Sequence, residues 1–295
     1  MIDPSQRILF DDQIYLDANS IQKTFVYEWK ESECKINITF SQEDHLAISL
    51  PKAPYAGFNI EGSLSQTAMD KMTTDLKEKL SKRGIQKAIV RQRPEFEPTP
   101  EFQIIHDGLV RHKFSYTKEA NQFVFLGQDF EQNLHPMQLR KIKKCQQEQL
   151  IFSKEDPSKI QEVHSFLTSC RNQQGLEINI DNQSLKQLFL KLPRSYECYT
   201  VRNCEQKILA ATILVLVNDQ ILYNYLPGFD RVYKSLSPLS YLLFQLYHDL
   251  RDRNYEIFDL GISSIDGELQ NGLFTYKKRM GAEQSDRFIY EINLK

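Results

Sequence analysis

The sequence FDLGISSIDGELQNGLFTYKKRMGAEQ, at residues 258–284, contains the pattern that decides the fold of this chain. It begins inside a short apolar stretch, YEIFDL at residues 255–260, which predicts a buried strand that ends at Gly261. A polar loop follows, and then a segment with spaced aromatic residues ends in the cations Lys277, Lys278 and Arg279. Cations just beyond a buried strand are typical of the place where an open α/β sheet binds an anionic ligand. We therefore predict a phosphate-binding site at these cations.

The composition is that of an ordinary globular protein large enough for two domains. The chain has 295 residues, of which 41% are hydrophobic and 26% are charged, and one domain commonly contains about 150 residues. Its 37 basic and 39 acidic residues give a formal net charge of -2. This balance creates no overall attraction to nucleic acid or to anionic lipid, so any site for a polyanion has to be local.

The N-terminal segment and the cysteines predict a cytoplasmic protein. The sequence MIDPSQRILFDDQ contains acidic residues and no apolar core, unlike a signal peptide. No stretch approaches roughly eighteen uninterrupted apolar residues, so we expect no membrane span. Five cysteines without a CxxC pair are expected to be reduced and structural. The histidines are scattered and show no metal-binding spacing, so we expect no metal site.

The first half of the chain alternates between strands and helices. An apolar residue recurs at every fourth position from Leu64 to Leu80, which predicts an amphipathic helix that ends before Gly84. The prolines between Pro94 and Pro100 predict an extended loop. Strands are predicted at residues 35–40, 45–50, 85–90, 109–116 and 122–127, with a turn at residues 118–121 and a helix at about residues 129–149.

The second half begins with helices and continues with a three-stranded meander, a further helix and the FDLG strand. Apolar residues on one face predict the further helix over residues 239–250. The first helices are predicted at residues 158–173 and 184–191, and the meander strands at residues 195–202, 208–217 and 220–226.

Two helix-to-strand junctions, at residues 79–90 and 249–260, resemble each other. Each helix ends in basic residues followed by Gly84 or Asn254, and a strand begins at once. Such an internal repeat suggests two duplicated domains. We place them at residues 1–150, including the connecting helix, and 151–295.

The meander, the helix and the FDLG strand together resemble the GNAT acyltransferase fold. FDLG followed by NGLFTYKKRMGA is similar, more narrowly, to the Fem-type aminoacyltransferases of bacterial cell-wall synthesis, which contain two GNAT-like domains in tandem. SLPKAPYAGFNI, at residues 49–60, is similar to a segment of their first domain. The resemblance implies an α/β (α+β) fold of two tandem GNAT-like domains, each a mixed, largely antiparallel sheet flanked by helices. It also implies an active site in the second domain, with Lys277 and Lys278 at positions that contact substrate phosphates.

The loop before the helix at residues 239–250 departs from ordinary GNAT enzymes. Those enzymes bind the pyrophosphate of coenzyme A in a glycine-rich loop, whereas DRVYKSLSPLS, at residues 230–240, contains no glycine. The loop still offers Ser235 or Ser237 as a helix cap, with Pro238 as the first helical residue. Arg231 and Lys234 are then candidate phosphate ligands near the helix N-terminus. The alternative to a phosphate site, which the sequence leaves equally open, is an ordinary capped helix start whose two cations are solvated.

Acyl transfer to an amine requires a deprotonated nucleophile, a stabilised oxyanion and a docking surface for the acyl carrier. Asp259 is a candidate general base and Tyr276 a candidate proton donor, although each can equally serve the structure, Asp259 by binding loop amides and Tyr276 by packing. The densest basic patch is a candidate for binding a tRNA backbone, with a salt-bridged surface as the alternative. This patch consists of Arg140, Lys141, Lys143 and Lys144.

Three functions are compatible with these patterns. The first is a transferase that moves an acyl or aminoacyl group from aminoacyl-tRNA or acyl-CoA to an amine-bearing, nucleotide-linked acceptor, as in cell-envelope peptide synthesis. The second is an acyl-CoA-dependent N-acetyltransferase with an atypical pyrophosphate loop. The third is a catalytically silent GNAT-like binding module. None of them requires a permanently bound cofactor.

Overall fold

The computed structural model describes residues 8–294 except residues 22, 98 and 128. The chain divides by its internal contacts into two compact units. Unit 1 runs to Asn121 and includes Ile262–Gln270 and the residues from Ser285 on, and unit 2 contains Gln122–Gly261 and Asn271–Gln284. This partition differs from the sequence-based ranges 1–150 and 151–295, which remain a prediction about where folding domains divide.

The helices begin with the residues that favour helix N-termini. Asp12, Ser65 and Asp181 each accept a hydrogen bond from a backbone amide in the first turn that they precede. The described part of the chain contains the helices α1 (Gln13–Ala18), α2 (Gln66–Lys82), α3 (Pro100–Arg111), α4 (Pro136–Gln147), α5 (Ile160–Asn172), α6 (Asn182–Lys191), α7 (Pro238–Asp252) and α8 (Asn271–Arg279).

The strands of both units are mixed in direction and largely antiparallel. Three of them, β6, β12 and β15, contribute residues to both units. The strands are β1 (Thr24–Glu31), β2 (Cys34–Glu43), β3 (Leu46–Ile48), β4 (Asn59–Glu61), β5 (Lys87–Arg91), β6 (Ser115–Phe125), β7 (Ile151–Lys154), β8 (Tyr196–Arg202), β9 (Ile208–Leu216), β10 (Ile221–Asn224), β11 (Gly228–Phe229), β12 (Ile257–Ile262), β13 (Ser264–Ile265), β14 (Glu268–Leu269) and β15 (Glu283–Asn293).

In unit 1 the strand order is β1-β2-β3-β5-β15-β6. The pairs β1–β2, β2–β3 and β5–β15 are antiparallel, whereas β3 and β5 are parallel and are connected through α2. Met69, Met72 and Leu76 of α2 are buried in the core of this unit. The four-residue periodicity therefore marks the core-facing side of a helix, as predicted.

In unit 2 the strand order is β12-β10-β9-β8-β7. The strands β8, β9 and β10 form the predicted antiparallel meander, and β12 is parallel to β10. The connection between β10 and β12 contains α7, whose apolar face buries Leu242, Leu246 and Leu250. The mixed, largely antiparallel sheets with flanking helices confirm the predicted fold class.

The two similar helix-to-strand junctions occupy equivalent places in the two units. The first leads from α2 into β5 and the second from α7 into β12, and each completes a pair of parallel strands. Gly84 and Asn254 both adopt left-handed backbone conformations, with φ of 75° and 65°. Glycine and asparagine are the residues that most readily adopt this conformation after a helix. The repeat seen in the sequence thus corresponds to a repeated structural element.

The region between residues 94 and 127 differs from the prediction. The predicted strand at residues 109–116 is the end of α3 followed by the start of β6, and the predicted turn at residues 118–121 lies inside β6. Its polar residues look like turn residues, but they have partners on β15. Lys118 Nζ lies 2.7 Å from Asp286 Oδ2, and Arg287 Nε lies 3.0 Å from Glu119 Oε2, with both side chains of the second pair only 7% exposed.

Two further boundaries are corrected by the structure. The extended loop ends at Thr99, because Pro100 is the first residue of α3, while Pro98 lies outside the described residues. The helix predicted from about residue 129 begins at Pro136, after a single 3-10 turn at Phe130–Asn133. Proline is favoured at the first position of a helix because its missing amide has no partner there.

Of the helices that the structure describes, none combines the length and the apolar composition needed to cross a bilayer. All five cysteines are free thiols, and Cys204 is the exposed one among them. Burial raises the pKa of the Cys145 thiol to about 11 and that of Cys170 to about 12. These thiols are protonated at neutral pH, as expected for structural cysteines.

Candidate active site

The carboxyl ends of two parallel strands meet in unit 2. The strands β10 and β12 pair in parallel from Ile221 and Ile257 to Tyr223 and Asp259. Beyond this point the chain no longer pairs with β12 but continues along β9, because β11 pairs with β9 as β10 does. Ligands of open α/β sheets bind in the crevice outside the carboxyl ends of such strands. The end of the β10–β12 pair is therefore the candidate active site.

Gly261 gives β12 its shape at this end. Its φ is 76°, and a Cβ atom built on it would lie 3.1 to 3.2 Å from the ring and hydroxyl of Tyr223 on β10. Asp259, which is fully buried, accepts a hydrogen bond from the Gly261 amide at 2.8 Å. Only glycine combines the left-handed backbone with the close contact to Tyr223, so the sequence FDLG specifies a kinked strand end with an inward carboxylate.

Lys277 reaches the same strand end from α8. Its side chain is only 7% exposed, and its Nζ donates a hydrogen bond to the Gly261 carbonyl at 2.8 Å. Burial lowers the pKa of Lys277 from 10.5 to about 8, although the negative charge of Asp259 acts in the opposite direction. A lysine that titrates near neutral pH is suited to proton transfer and to stabilising a developing negative charge.

Helix α8 separates the three predicted cations. Lys277 faces inward, together with the half-buried Phe274, whose carbonyl accepts a hydrogen bond from Gln122 Nε2 of β6 at 3.1 Å. Lys278 and Arg279 are exposed. The structure therefore does not bring the three cations together, because consecutive helical residues point about 100° apart. Their predicted contact with phosphate remains a prediction.

Tyr276 lies on a different side of α8 from Lys277. Its hydroxyl lies 3.4 Å from Ser240 Oγ on α7, and Ser240 in turn donates to Gln138 Oε1 of α4 at 3.1 Å. Burial raises the pKa of the Tyr276 hydroxyl above its ordinary value, so this hydroxyl is protonated at neutral pH. These contacts connect three helices in the interior of the unit, which is the structural role that the sequence left open.

The loop before α7 ends at the predicted residue, but the side chain of that residue does not cap the helix. Ser237 is the residue before α7 and Pro238 is its first residue, as predicted. Ser237 has φ of 60°, and its hydroxyl donates to the Lys234 carbonyl at 3.3 Å instead of capping the helix. Arg231 and Lys234 are exposed, and the Arg231 guanidinium donates to the Gln173 carbonyl at 3.1 Å.

Helix α4 connects this loop to the end of α8. The His135 amide, just before α4, donates to the Arg279 carbonyl at 3.0 Å. Near its other end, Cys145 Sγ donates to the Leu236 carbonyl in the loop before α7 at 3.0 Å. The exposed face of α4 between these contacts presents the predicted basic patch, of which Lys141 is only partly exposed. Its fully exposed members are Arg140, Lys143 and Lys144.

The corresponding crevice in unit 1 is occupied by the chain itself. The parallel pairing of β3 and β5 ends at Ile48 and Ile89, and the chain then returns to β5. The Ala56 amide donates to the Arg91 carbonyl at 2.9 Å, and the Phe58 amide to Gln92 Oε1 at 3.1 Å. The segment SLPKAPYAGFNI therefore binds the end of β5 at the place in unit 1 that corresponds to the end of β10 and β12 in unit 2.

Two arginines hold this segment in place. Arg91 donates to the Pro51 carbonyl at 3.1 Å, and Arg287 donates to the Pro54 carbonyl at 2.7 Å. The sequence identified this segment only through its similarity to a segment of the first domain of the Fem-type proteins. Its long-range hydrogen bonds show that it covers the end of β5. The structure likewise places Tyr223 beside Gly261, and Gln122 beside α8.

The comparison with known sequences and structures agrees with this geometry. Residues 138–278 match the sequence family described as "Acetyltransferase (GNAT) domain". A search among curated proteins finds no match. Among solved structures, FemX is similar with a TM-score of 0.67 and 10% identity over 95% of this chain and 91% of FemX.

Two further structures have the same fold. The C-terminal domain of a protein described as a lysylphosphatidylglycerol synthetase from Agrobacterium fabrum is similar with a TM-score of 0.60 and 12% identity, over 94% of this chain and 87% of that one. A tandem GNAT protein from the clavulanic acid biosynthesis pathway is similar with a TM-score of 0.53 and 10% identity, over 93% and 84%. The likeness extends over both units, so the chain has the fold of tandem GNAT proteins.

The matched domain and the tandem fold define the class of the protein. Its residues 138–278 match an acetyltransferase (GNAT) domain, so the protein is an acyltransferase, and its fold over both units is that of tandem GNAT proteins, among them FemX. The crevice formed by Asp259, Gly261 and Lys277 lies inside the matched segment.

Proposed function

We propose that the chain transfers an aminoacyl group from aminoacyl-tRNA to an amine, with the crevice at the ends of β10 and β12 as its catalytic site. The observation that carries this proposal is the buried Lys277, which donates to the Gly261 carbonyl where the two parallel strands end. Burial makes the ammonium of Lys277 costly beside the single carboxylate of Asp259, so a further negative charge that forms at this strand end would interact with it strongly. Acyl transfer forms such a charge on the carbonyl oxygen of its tetrahedral intermediate.

In this mechanism Lys277 acts in its ammonium form. The acceptor amine attacks the ester carbonyl of the donor, a C–N bond forms, and the oxyanion is stabilised by the ammonium group. When the intermediate collapses, the C–O bond to the tRNA ribose breaks, and Lys277 donates a proton to the leaving oxygen. The proton lost by the attacking nitrogen restores the ammonium, so protons balance over the cycle. A pKa of about 8 allows Lys277 to give and take a proton near neutral pH.

The loop before α7 favours aminoacyl-tRNA over acyl-CoA as the donor. A pyrophosphate site at a helix N-terminus requires backbone amides that are free to bind phosphate oxygens. In this loop the amides of residues 231–234, 236 and 237 donate within the chain, and so do those of Ser240 and Tyr241 in the first turn of α7. Pro238 has no amide to offer. Most of the donors that would bind a pyrophosphate are therefore engaged.

The surface of α4 provides an extended basic track that suits a nucleic-acid donor. One end of α4 contacts the end of α8, and the other contacts the loop before α7. A helix of twelve residues spans about 18 Å, which is several phosphate spacings of a nucleic acid. We define the basic track as the exposed cations along this path. They are Lys278, Arg279, Arg140, Lys143, Lys144, Lys234 and Arg231.

For the acceptor we propose an amine carried on a phosphate-bearing group, such as a nucleotide-linked cell-envelope precursor. Support comes from the fold shared with FemX and from the cations Lys278 and Arg279, which follow Lys277 on α8. The structure described as a lysylphosphatidylglycerol synthetase has the same fold, so a phospholipid acceptor belongs in the same experiment. An acyl-CoA-dependent N-acetyltransferase is the second candidate function, supported by the family match.

The test is a transfer assay with matched donors and acceptors. The protein is incubated with a mixture of aminoacyl-tRNAs or with a panel of acyl-CoAs, together with nucleotide-linked muramyl peptides or phosphatidylglycerol vesicles, and products are identified by mass spectrometry. We expect aminoacyl products from the tRNA donors, reduced in Lys277→Met and retained in Lys278→Met. Products from acyl-CoA alone would replace the proposal with the N-acetyltransferase function.

A further inference from the structure

Asp259 and Lys277 bind the same glycine from opposite ends. The Asp259 carboxylate accepts a hydrogen bond from the Gly261 amide at 2.8 Å, and the Lys277 ammonium donates to the Gly261 carbonyl at 2.8 Å. Asp259 is fully buried, and Lys277 is only 7% exposed. The two opposite charges therefore lie in a poorly hydrated place at the end of β12, and Gly261 is the residue that both of them contact.

We propose that Asp259 is a positioning residue for Lys277: it fixes Gly261 in the conformation whose carbonyl receives the Lys277 ammonium, and its charge keeps that ammonium protonated inside the crevice. This assignment rests on the proposed function of Lys277 in acyl transfer. It replaces the general base that the sequence suggested for Asp259, because the carboxylate is engaged with the strand's own backbone.

The geometry gives Asp259 two separate effects. Gly261 has φ of 76°, and the Asp259 carboxylate stabilises this kink by binding the amide two residues further along. The kink directs the Gly261 carbonyl toward α8. Without that acceptor, the Lys277 ammonium would lose a charge-assisted hydrogen bond in a place where replacement by water is costly.

The second effect is electrostatic. Burial alone favours the neutral amine of a lysine, and an opposite charge a few ångströms away favours the ammonium. Asp259 is the charge that raises the pKa of Lys277 against the lowering by burial, which leaves the pKa at about 8. The other titratable side chains around this contact are the phenols of Tyr223, which packs on Gly261 from β10, and of Tyr276, which precedes Lys277 on α8.

A purely structural ion pair would have different properties. Buried ion pairs contribute little net stability compared with apolar residues of similar volume. Asp259 and Lys277 instead meet through Gly261 at the end of a parallel strand pair, in the domain that matches the acetyltransferase family. If Asp259 acts only by accepting the Gly261 amide, a neutral asparagine can replace it without changing the ionisation of Lys277. If it also acts on Lys277 through its charge, the same replacement lowers the pKa of Lys277.

The experiment measures the titration of Lys277 directly in the free protein. Lysine side chains are labelled with 13C and 15N, the Cε signal of Lys277 is assigned with Lys277→Met, and its shift is followed from pH 6 to 10. Asp259→Asn removes the charge but keeps an oxygen acceptor for the Gly261 amide. We expect the midpoint to fall by about one pH unit or more. The matched control is Asp252→Asn, at the exposed end of α7, which leaves the midpoint unchanged.

An unchanged midpoint in folded Asp259→Asn would overturn the assignment. If Asp259→Asn does not fold, the double variant Asp259→Asn/Lys277→Met decides: recovery of folding shows that Asp259 acts through Lys277, and continued unfolding shows that it does not. Because no substrate is involved, this outcome is independent of whether the transfer reaction has been identified correctly. Once a substrate is known, the alkaline limb of the rate profile should move by the same amount.

Discussion

The Lys277 ammonium and the Gly261 carbonyl are joined by a hydrogen bond of 2.8 Å that fixes α8 against the kinked end of β12. The kink requires a left-handed residue, and a Cβ atom at this position would lie only 3.1 Å from the Tyr223 hydroxyl. The position of Lys277 therefore depends on a residue that has no side chain of its own.

Gly261→Ala should destabilise the protein more than a change of backbone conformation alone explains. Gly84 is the matched control, because its φ is 75°, nearly the same as that of Gly261, and a Cβ atom there would meet open space. We expect Gly84→Ala to cost about 1 kcal/mol from left-handed strain. Gly261→Ala should cost about 2–4 kcal/mol, because overpacking against Tyr223 adds to that strain. Chemical denaturation of both variants measures the difference, and equal costs would show that the crevice relaxes around the methyl group.

The pH dependence of transfer should follow the ionisation of Lys277. Burial lowers the pKa of this lysine to about 8, and the proposed reaction uses the ammonium form. The reaction also needs a neutral acceptor amine, whose fraction rises with pH. After division by that fraction, the single-turnover rate should fall about tenfold per pH unit above the pKa of Lys277, because the fraction of ammonium falls. A corrected rate that does not fall above pH 8 would show that the ammonium form of Lys277 is not required.

Lys277 and Lys278 should differ in what they contribute, although they are adjacent. Removing a preorganised donor to an oxyanion typically lowers the rate constant by about a hundredfold to a thousandfold, and we expect this for Lys277→Met with little change in donor affinity. Lys278 is exposed, so Lys278→Met should weaken binding of a phosphate-bearing substrate and leave the rate at saturation unchanged. Equal effects on the saturated rate would contradict this division.

Binding of tRNA should depend steeply on salt through the basic track on α4. Each lost phosphate contact reduces the slope of log affinity against log salt by about 0.7–0.9. Changing Arg140, Lys143 and Lys144 together to Ala should therefore reduce the slope by about 2 to 3. As a control, Lys30, Lys35 and Lys82 of unit 1 are changed to Ala, with the same loss of charge. Fluorescence anisotropy with labelled tRNA at several salt concentrations measures both, and a similar loss from the control would indicate nonspecific attraction.

One donor should bind per chain, although the two units share an architecture. The crevice of unit 1 contains the segment at residues 49–60, held by Arg91 and Arg287 through the carbonyls of Pro51 and Pro54. Calorimetric titration with a non-hydrolysable aminoacyl-tRNA analogue should give a stoichiometry near one, and changing Arg140, Lys143 and Lys144 together to Ala should weaken the binding. Two equivalent sites would mean that the segment leaves the crevice when ligand is present.

Much of the secondary structure follows from local patterns in the sequence. The periodicity from Leu64 to Leu80 predicts α2, because a helix buried on one face repeats its apolar residues every three to four positions. The apolar runs at residues 195–226 predict the strands β8, β9 and β10, because short buried strands are apolar along most of their length. Residues 109–121 were misleading. Lys118 and Glu119 look like turn residues, yet their partners Asp286 and Arg287 are distant in sequence, and no local rule detects a partner that far away.

By itself, the sequence determined the two similar helix-to-strand junctions, the FDLG strand end and the presence of cations after it. Tertiary structure alone decided which of those cations faces inward, because Lys277, Lys278 and Arg279 are chemically similar and differ only in their direction from α8. It also decided how the chain continues after each parallel strand pair, since Ala56 returns to β5 in unit 1, whereas β11 continues along β9 in unit 2. Local composition specifies how a segment folds, but the pairing of distant backbone groups specifies which strands and side chains meet at the candidate active site.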